Sequence, residues 1–569
     1  MKGLPTNFKD NLLLLLFPLA IFFLSYLGFG FFYERYEPFL TGLFSGVFTP
    51  GMLYNHFYFF GHVGLLSLYA KLYAVLPNIP WLNVVLYIFL SISLMMIAKV
   101  FFNTRNSNRL LILVCIIIGV FYLEQYVFFI YTRISFMLSF AALFYILSQY
   151  KNGALTKKKY GLLVVVFVLA LLTRSEPAMI SLLVIGLFDF IVLGQGSFKD
   201  SVLRQLKLYF IPGMACLLFI VAFLYDVQHS DQFYKQIEPE LEYELMSRNN
   251  ITNVSKMTSR LDTFRFQAIF NGMWGDASTN NAAFLRSLVG SKESNMPALF
   301  SNGMDALNQA IKNAEGVFYL NLCCFFFLVV AFLSKQKYEL GLRLTLFYIF
   351  FWGLILLKSY KVKMIETALS PMLFMSSILC LYLLLAEMRN FGSKVKLFLC
   401  LCFFGLMFNQ LRFIQNRSGK FRKTNDCMVE KRKFLENVFK GKSIYLNQES
   451  SSIFADSYRP FEKIEVDQFN RVYYFDKQHL TTLEPYRSFL AKECNCDPNN
   501  YSAFFQFIIE EDTQAVFLMS ESYKEFLSSY LYEVHEIEME WIEFDTDGRK
   551  LYCEDKPNNT FKAYTVSTQ

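Results

Sequence analysis

Apolar runs long enough to cross a lipid bilayer recur along this chain, and nothing else constrains its fold as strongly. About twenty residues of helix span the hydrocarbon core, where every backbone polar group must find its partner within the segment. Such runs fall at roughly 12–32, 82–102, 110–129, 132–149, 160–173, 178–195, 208–225, 316–334, 341–357, 366–387 and 396–413. With 54% hydrophobic and only 18% charged residues, the composition excludes an ordinary soluble enzyme. The sequence therefore predicts an α-helical polytopic membrane protein of about eleven transmembrane helices over 1–413, followed by a small C-terminal α/β domain over 414–569.

The formal charge of +7 does not imply nucleic acid as a partner, because the cations follow the positive-inside pattern. With the basic N-terminus inside, alternate connectors carry Lys99/Arg105/Arg109, Lys151/Lys157/Lys158/Lys159, Lys199/Arg204/Lys207, Lys335/Lys337/Arg343 and Arg389/Lys394/Lys396. No small-residue cleavage pattern follows the first apolar run, so it reads as a retained helix. An odd number of spans then puts the C-terminal domain on the outer side, extracytoplasmic, with an amphipathic loop at 33–81 and a large loop at 226–315. In that domain, strands are expected near 443–446, 471–475, 515–519 and 537–544, with helices near 428–439, 502–510 and 523–532. Cys494-Asn-Cys496 lacks zinc-pair spacing, and one or two disulfides fit an oxidising compartment.

Ionisable side chains inside or at the ends of spans are costly, so each is a site candidate. On the predicted outer side these are Glu34, Glu37, His56 and His62 in the amphipathic loop, then Glu124 and Arg133 flanking a tight hairpin. Arg174 and Glu176 follow at the next outer turn, and Lys358, Lys361, Lys363 and Glu366 in a connector that breaks the charge rule. Carboxylates with cations at one interface suit transfer from a lipid-phosphate donor: the acid takes a proton from the incoming hydroxyl, and Lys and Arg bind the donor phosphate. A plainer alternative stands beside each. Glu34 and Glu37 can be first-turn acids favoured by a helix dipole, Arg133 can snorkel, and Arg174 with Glu176 can be a structural pair.

The order S-G-V-F-T-P-G-M-L-Y-N-H-F-Y-F-F-G-H, then L-Y-A-K-L-Y and P-N-I-P-W, then T-R-I-S-F-M-L-S-F-A-A-L and L-L-T-R-S-E, resembles bacterial multi-pass proteins of the GT-C glycosyltransferase type. The resemblance covers mainly the first third of the chain. It implies a GT-C-like fold in the bacterial inner membrane, with an acid about ten residues before Ser45-Gly46. Glu37 stands there and Glu34 slightly further out, where the family often has an Asp pair. Glu37 is then expected as catalytic base, helped or replaced by Glu34. His56, His62, Arg133, Arg174, Glu176, Lys358, Lys361 and Lys363 are expected to contact substrate. The implied partners are membrane lipids, a polyprenyl-phosphate-linked sugar and a glycan, lipid or protein acceptor. Some enzymes of this type use a divalent metal, but the residues here show no ligand set for one. Two other classes stay open: a polysaccharide polymerase or lipid-linked glycan transporter, and a non-catalytic scaffold whose outer domain binds a partner.

Overall fold

A computed structural model describes residues 6–33, 63–103, 108–194, 198–229, 259–270, 276, 283–285, 296–361, 366–388, 391–447, 450, 453, 457–462, 471–476, 484–498, 500–512, 514–544, 546, 551, 553 and 561–567. Helices form over every apolar run: α1 (Thr6–Gly28), α3 (Trp81–Phe102), α4 (Asn108–Val127), α5 (Tyr131–Lys151), α6 (Lys157–Thr173), α7 (Ser175–Ile191), α8 (Phe198–His229), α11 (Glu315–Ser334), α12 (Tyr338–Lys361), α13 (Glu366–Met388) and α14 (Ser393–Val438). Between them lie α2 (Val63–Val75), α9 (Arg260–Phe270) and α10 (Met296–Asn313). Among the described residues, seven helices are long and apolar enough to cross a membrane, and α1 and α4 contain shorter apolar helical stretches. This is the architecture of a helical membrane protein.

Two helices form the interior. In the most apolar windows of α5 and α13, 94% and 83% of residues are buried, against 22% in α8 and 28% in α14. The α5 helix packs on α3, α6, α7 and α13, and α11 packs on α13. The exposed side chains on α8, such as Phe210, Leu217 and Leu224, are apolar, which suits a lipid-facing surface. At one end of the bundle Glu387 receives both Lys335 and Lys337 at 2.7 Å, and Arg204 pairs with Asp189 at 3.2 Å. Those cations belong to the basic connectors that the charge pattern assigns to the inner side.

The last helix differs from expectation. A span over 396–413 was predicted, with a separate helix near 428–439, but α14 runs unbroken for 46 residues. At 1.5 Å per residue that is about 69 Å, more than twice a hydrocarbon core. Its distal half stays helical because Ile414, Ser418, Asn425, Met428, Arg432 and Leu435 are buried at helical spacing.

Beyond α14 a five-stranded sheet follows, with β3 (Ser443–Asn447), β4 (Arg471–Asp476), β5 (Ala515–Ser520), β6 (Glu540–Glu543) and β7 (Phe561–Ser567) in the order β4-β3-β5-β7-β6. The β3 strand pairs parallel with β4 and β5, so helices must carry the chain across: α15 (Glu484–Cys494) and α16 (Tyr501–Glu510) lie between β4 and β5. The β5 strand is buried at all six positions, as a central strand should be. The hydroxyl of Ser520 caps α17 (Glu521–His535). Both β7 and α15 were missing from the expected elements.

This region is tied to the bundle at three places. Cys427 on α14 is disulfide-bonded to Cys553, 126 residues on. The buried carboxylate of Asp276 meets the Tyr530 hydroxyl and the His535 Nε2, the latter at 2.6 Å, so part of the 226–315 stretch docks on α17. The segment 457–462 returns to the bundle: Phe461 packs against Phe22, Phe31 and Tyr87, and Asn83 donates to the Pro460 carbonyl.

Candidate functional site

The tight hairpin between α4 and α5 is the nucleus of the site. Its linker forms β2 (Phe128–Phe129), which pairs in parallel with β1 (Phe32–Tyr33). Ile130 is extended at φ −155° and starts α5. The reversal puts Glu124, in the last turn of α4, opposite Arg133, in the first turn of α5. Their side chains form an ion pair at 3.2 Å with exposures of 0% and 1%. Burying two charges is unfavourable unless the remaining lone pairs are also used, and here they are. Ser370 on α13 donates to Glu124 Oε1 at 3.0 Å, and Gln410 on α14 donates to Oε2 at 3.0 Å. The Arg417 guanidinium stands 4.0 Å from Oε1 and stacks over Phe128 at 4.4 Å. One carboxylate therefore joins α4, α5, α13 and α14, and two guanidinium groups surround it. With both oxygens engaged, Glu124 serves as a structural acid and is poorly placed to take a substrate proton.

Arg174 lies beside this network. It is the single residue between α6 and α7, extended at φ −160°. The hydroxyl of Ser135 fixes that turn by donating to the carbonyls of Ala170 and Arg174. The half-buried guanidinium then reaches Tyr131 Oη at 3.0 Å and Thr132 Oγ1 at 2.6 Å, and lies 5.2 Å over the Tyr131 ring. Among the described residues those partners are all neutral.

The sequence candidates thus fall as follows. Arg133 and Arg174 come together, since Tyr131 and Thr132, which hold Arg174, open the same helix as Arg133. Arg133 is an interior cation held by Glu124, so the snorkelling alternative is set aside. Glu176 is exposed in the first turn of α7. Lys358 and Lys361 stand in the last turn of α12, just before α13, whose Ser370 reaches Glu124, so their backbone is at this same end. Glu34 and Glu37 follow directly on β1 in sequence; they, His56, His62 and Lys363 lie outside the described residues. Ser370, Gln410 and Arg417 were not singled out from the sequence. The signal for the first two was present, since each is a polar residue inside an apolar run.

Close packing supports the network. A Cβ added at Gly316 on α11 would overlap the Gln410 side-chain amide, and would come 3.5 Å from the Gln410 Cα. Gln410 cannot swing aside without releasing Glu124. Gly316→Ala is therefore expected to destabilise the protein by about 1–3 kcal/mol, the usual cost of overpacking. Thermal unfolding in detergent checks this, with Gly353→Ala, where a Cβ meets open space, as the control.

Among the described residues no three His, Cys, Asp or Glu side chains group as metal ligands. Comparisons with protein-family models, with curated proteins and with solved structures return no match. The functional conclusion therefore rests on the geometry and chemistry of this end of the bundle.

Proposed function

We propose that this protein is a membrane glycosyltransferase of the GT-C type, moving a sugar from a polyprenyl-phosphate donor to a cell-surface glycan, lipid or protein acceptor at the outer face of the inner membrane. The observation that carries the reading is Arg174: a half-buried guanidinium, oriented by two hydroxyls, with only neutral partners among the described residues. It sits next to a network in which Arg133 and Arg417 surround one carboxylate. An anion-binding fork at such a depth suits a lipid phosphate, because guanidinium pairs well with phosphate oxygens and is less strongly hydrated than ammonium.

In this mechanism Arg174 and the lysines at 358, 361 and 363 hold the donor phosphate and offset the charge that grows on it as the glycosidic bond breaks. Glu37, helped or replaced by Glu34, takes the proton from the acceptor hydroxyl. Glu124 fixes Arg133 and Arg417 and keeps the four surrounding helices in register. The outer placement is supported by the Cys427–Cys553 disulfide, which belongs in an oxidising compartment, and by the basic connectors at the opposite end.

Mass spectrometry of lipid-linked sugars in cells lacking the protein tests the proposal. A polyprenyl-phosphate monosaccharide should accumulate, wild type should clear it, and Glu37→Gln should not. If no lipid-linked sugar changes on deletion, the transferase reading fails. If Glu37→Gln clears the pool as wild type does, the base is another residue.

A further inference from the structure

The C-terminal sheet holds a cleft far in sequence from the bundle network. It lies beside β3 and β4, where Tyr445 and Tyr473 are partners in register and their rings stack at 5.2 Å. These two rings and that of Phe504 are buried and form its apolar wall. Two carboxylates line it as well, Glu493 exposed and Asp512 half-buried. A tyrosine aims each of them: Tyr445 Oη donates to Asp512 at 2.9 Å, and Tyr473 Oη donates to Glu493 at 3.2 Å. One hydroxyl uses one lone pair of a carboxylate and leaves the others for a further donor. Among the described residues, neither acid has a cation as ion-pair partner.

The backbone adds negative character at the same place. Glu493 stands in the last turn of α15 and Phe507 in the last turn of α16, and Asp512 follows just after α16 ends. Both helices therefore end at this cleft, and a helix C-terminus favours a cation. Aromatic faces attract cations too. Like charges gathered at one cleft repel each other, and a cation between them relieves this. Size narrows the choice. The cavity measures about 20 Å³, room for one or two groups the size of a water molecule. An ammonium head fits that space, and a trimethylammonium head is too large. Calcium and magnesium ask for about six oxygen ligands, which a wall of tyrosine and phenylalanine rings does not supply.

We infer that this cleft binds a primary ammonium group, with Glu493 and Asp512 accepting its N–H bonds against the rings of Tyr445 and Tyr473. Amino sugars and lysine side chains both carry that group. The inference rests on the sheet and its helices and not on the transfer chemistry.

Ligand-observed saturation-transfer NMR on the full-length protein in detergent tests it. The probes are α-N-acetyl-lysine amide, whose one charge is its ε-ammonium, its ε-N-acetyl and ε-N-trimethyl forms, and glucosamine beside glucose. Wild type should bind the lysine amide or glucosamine saturably, and the tighter of the two names the source of the amine. The acetylated and trimethylated forms and glucose should bind roughly tenfold more weakly or not at all. Asp512→Asn should lose roughly tenfold or more in affinity, since a charge-assisted hydrogen bond goes while the amide oxygen still accepts from Tyr445. Glu493→Gln, at an exposed position, serves in its place if Asp512→Asn unfolds. Glu525→Gln, an exposed acid on α17, should change nothing. Binding of the ammonium probes no tighter than of their neutral forms would overturn the inference. So would equal binding of the trimethylated form, unchanged affinity in the cleft variants, an equal loss in Glu525→Gln, or displacement of the probe by millimolar calcium. Turnover of lipid-linked sugar is not part of the readout, so failure here leaves the transferase proposal standing.

Discussion

Glu124→Gln is expected to lower the stability of the protein by about 3–5 kcal/mol, the cost of removing one partner from a buried ion pair. The carboxylate is fully buried and accepts from Arg133, Ser370 and Gln410, with Arg417 at 4.0 Å. Neutralising it removes the anion that Arg133 and Arg417 share here, and turns one acceptor oxygen into a donor that faces other donors. Because all four helices place a side chain on this carboxylate, the variant should also loosen α14 against α4. The measurement is thermal unfolding in a fixed detergent. The double variant Glu124→Gln/Arg133→Gln should recover part of the loss, since both charges are then removed together. If Glu124→Gln unfolds at the wild-type temperature, the carboxylate is not the organising group.

Cys427→Ser is expected to be at least as damaging, by another route. The bridge to Cys553 closes a loop of 126 residues in sequence, and in the chain-entropy model a loop of that size is worth about 4–5 kcal/mol through the unfolded state. It also fastens the last part of the chain to the helix that leaves the bundle. The Cys494–Cys496 bridge spans two positions only, so Cys496→Ser should cost far less. Thermal unfolding with and without reductant compares the two. Cys427→Ser should abolish most of the sensitivity to reductant, and Cys496→Ser should leave most of it intact. A protein purified under non-reducing conditions with free thiols at both Cys427 and Cys553 would count against the oxidising compartment.

Much of the bundle was legible because hydrophobicity over twenty residues is a strong local signal. The apolar runs each contain a helix, and the hairpin L-E-Q-Y-V-F-F-I-Y-T-R turns at Phe128–Ile130, between its two charged ends. The strands at 443–447, 471–476 and 515–520 were legible for a related reason, being short β-rich runs between polar stretches. The unbroken course of α14 was not, since its pattern changes from lipid-facing to amphipathic at Arg412 and the helix carries Gly405 and Gly419. Nor could β7 be read, because it takes its partner β5 from more than forty residues earlier, and its own alternation is weak. For the site, the residue types were visible but their partners were not. Glu124 and Gln410 are 286 positions apart, and no local rule connects them. The same holds for Cys427 and Cys553, since cysteine spacing does not determine connectivity.

Whether the bundle end receives a lipid phosphate is decided by titrating the purified, detergent-solubilised protein with polyprenyl phosphate, wild type against Arg174→Gln. The guanidinium is predicted to supply a charge-assisted hydrogen bond worth about 1.5–3 kcal/mol, so the variant should bind roughly ten- to a hundredfold more weakly at an unchanged unfolding temperature. Arg174→Lys, which keeps the charge without the fork, should fall between the two. Equal affinity of Arg174→Gln and wild type would contradict a phosphate site at Arg174, and with it the reading of this end of the bundle as the place where a lipid-linked sugar is held.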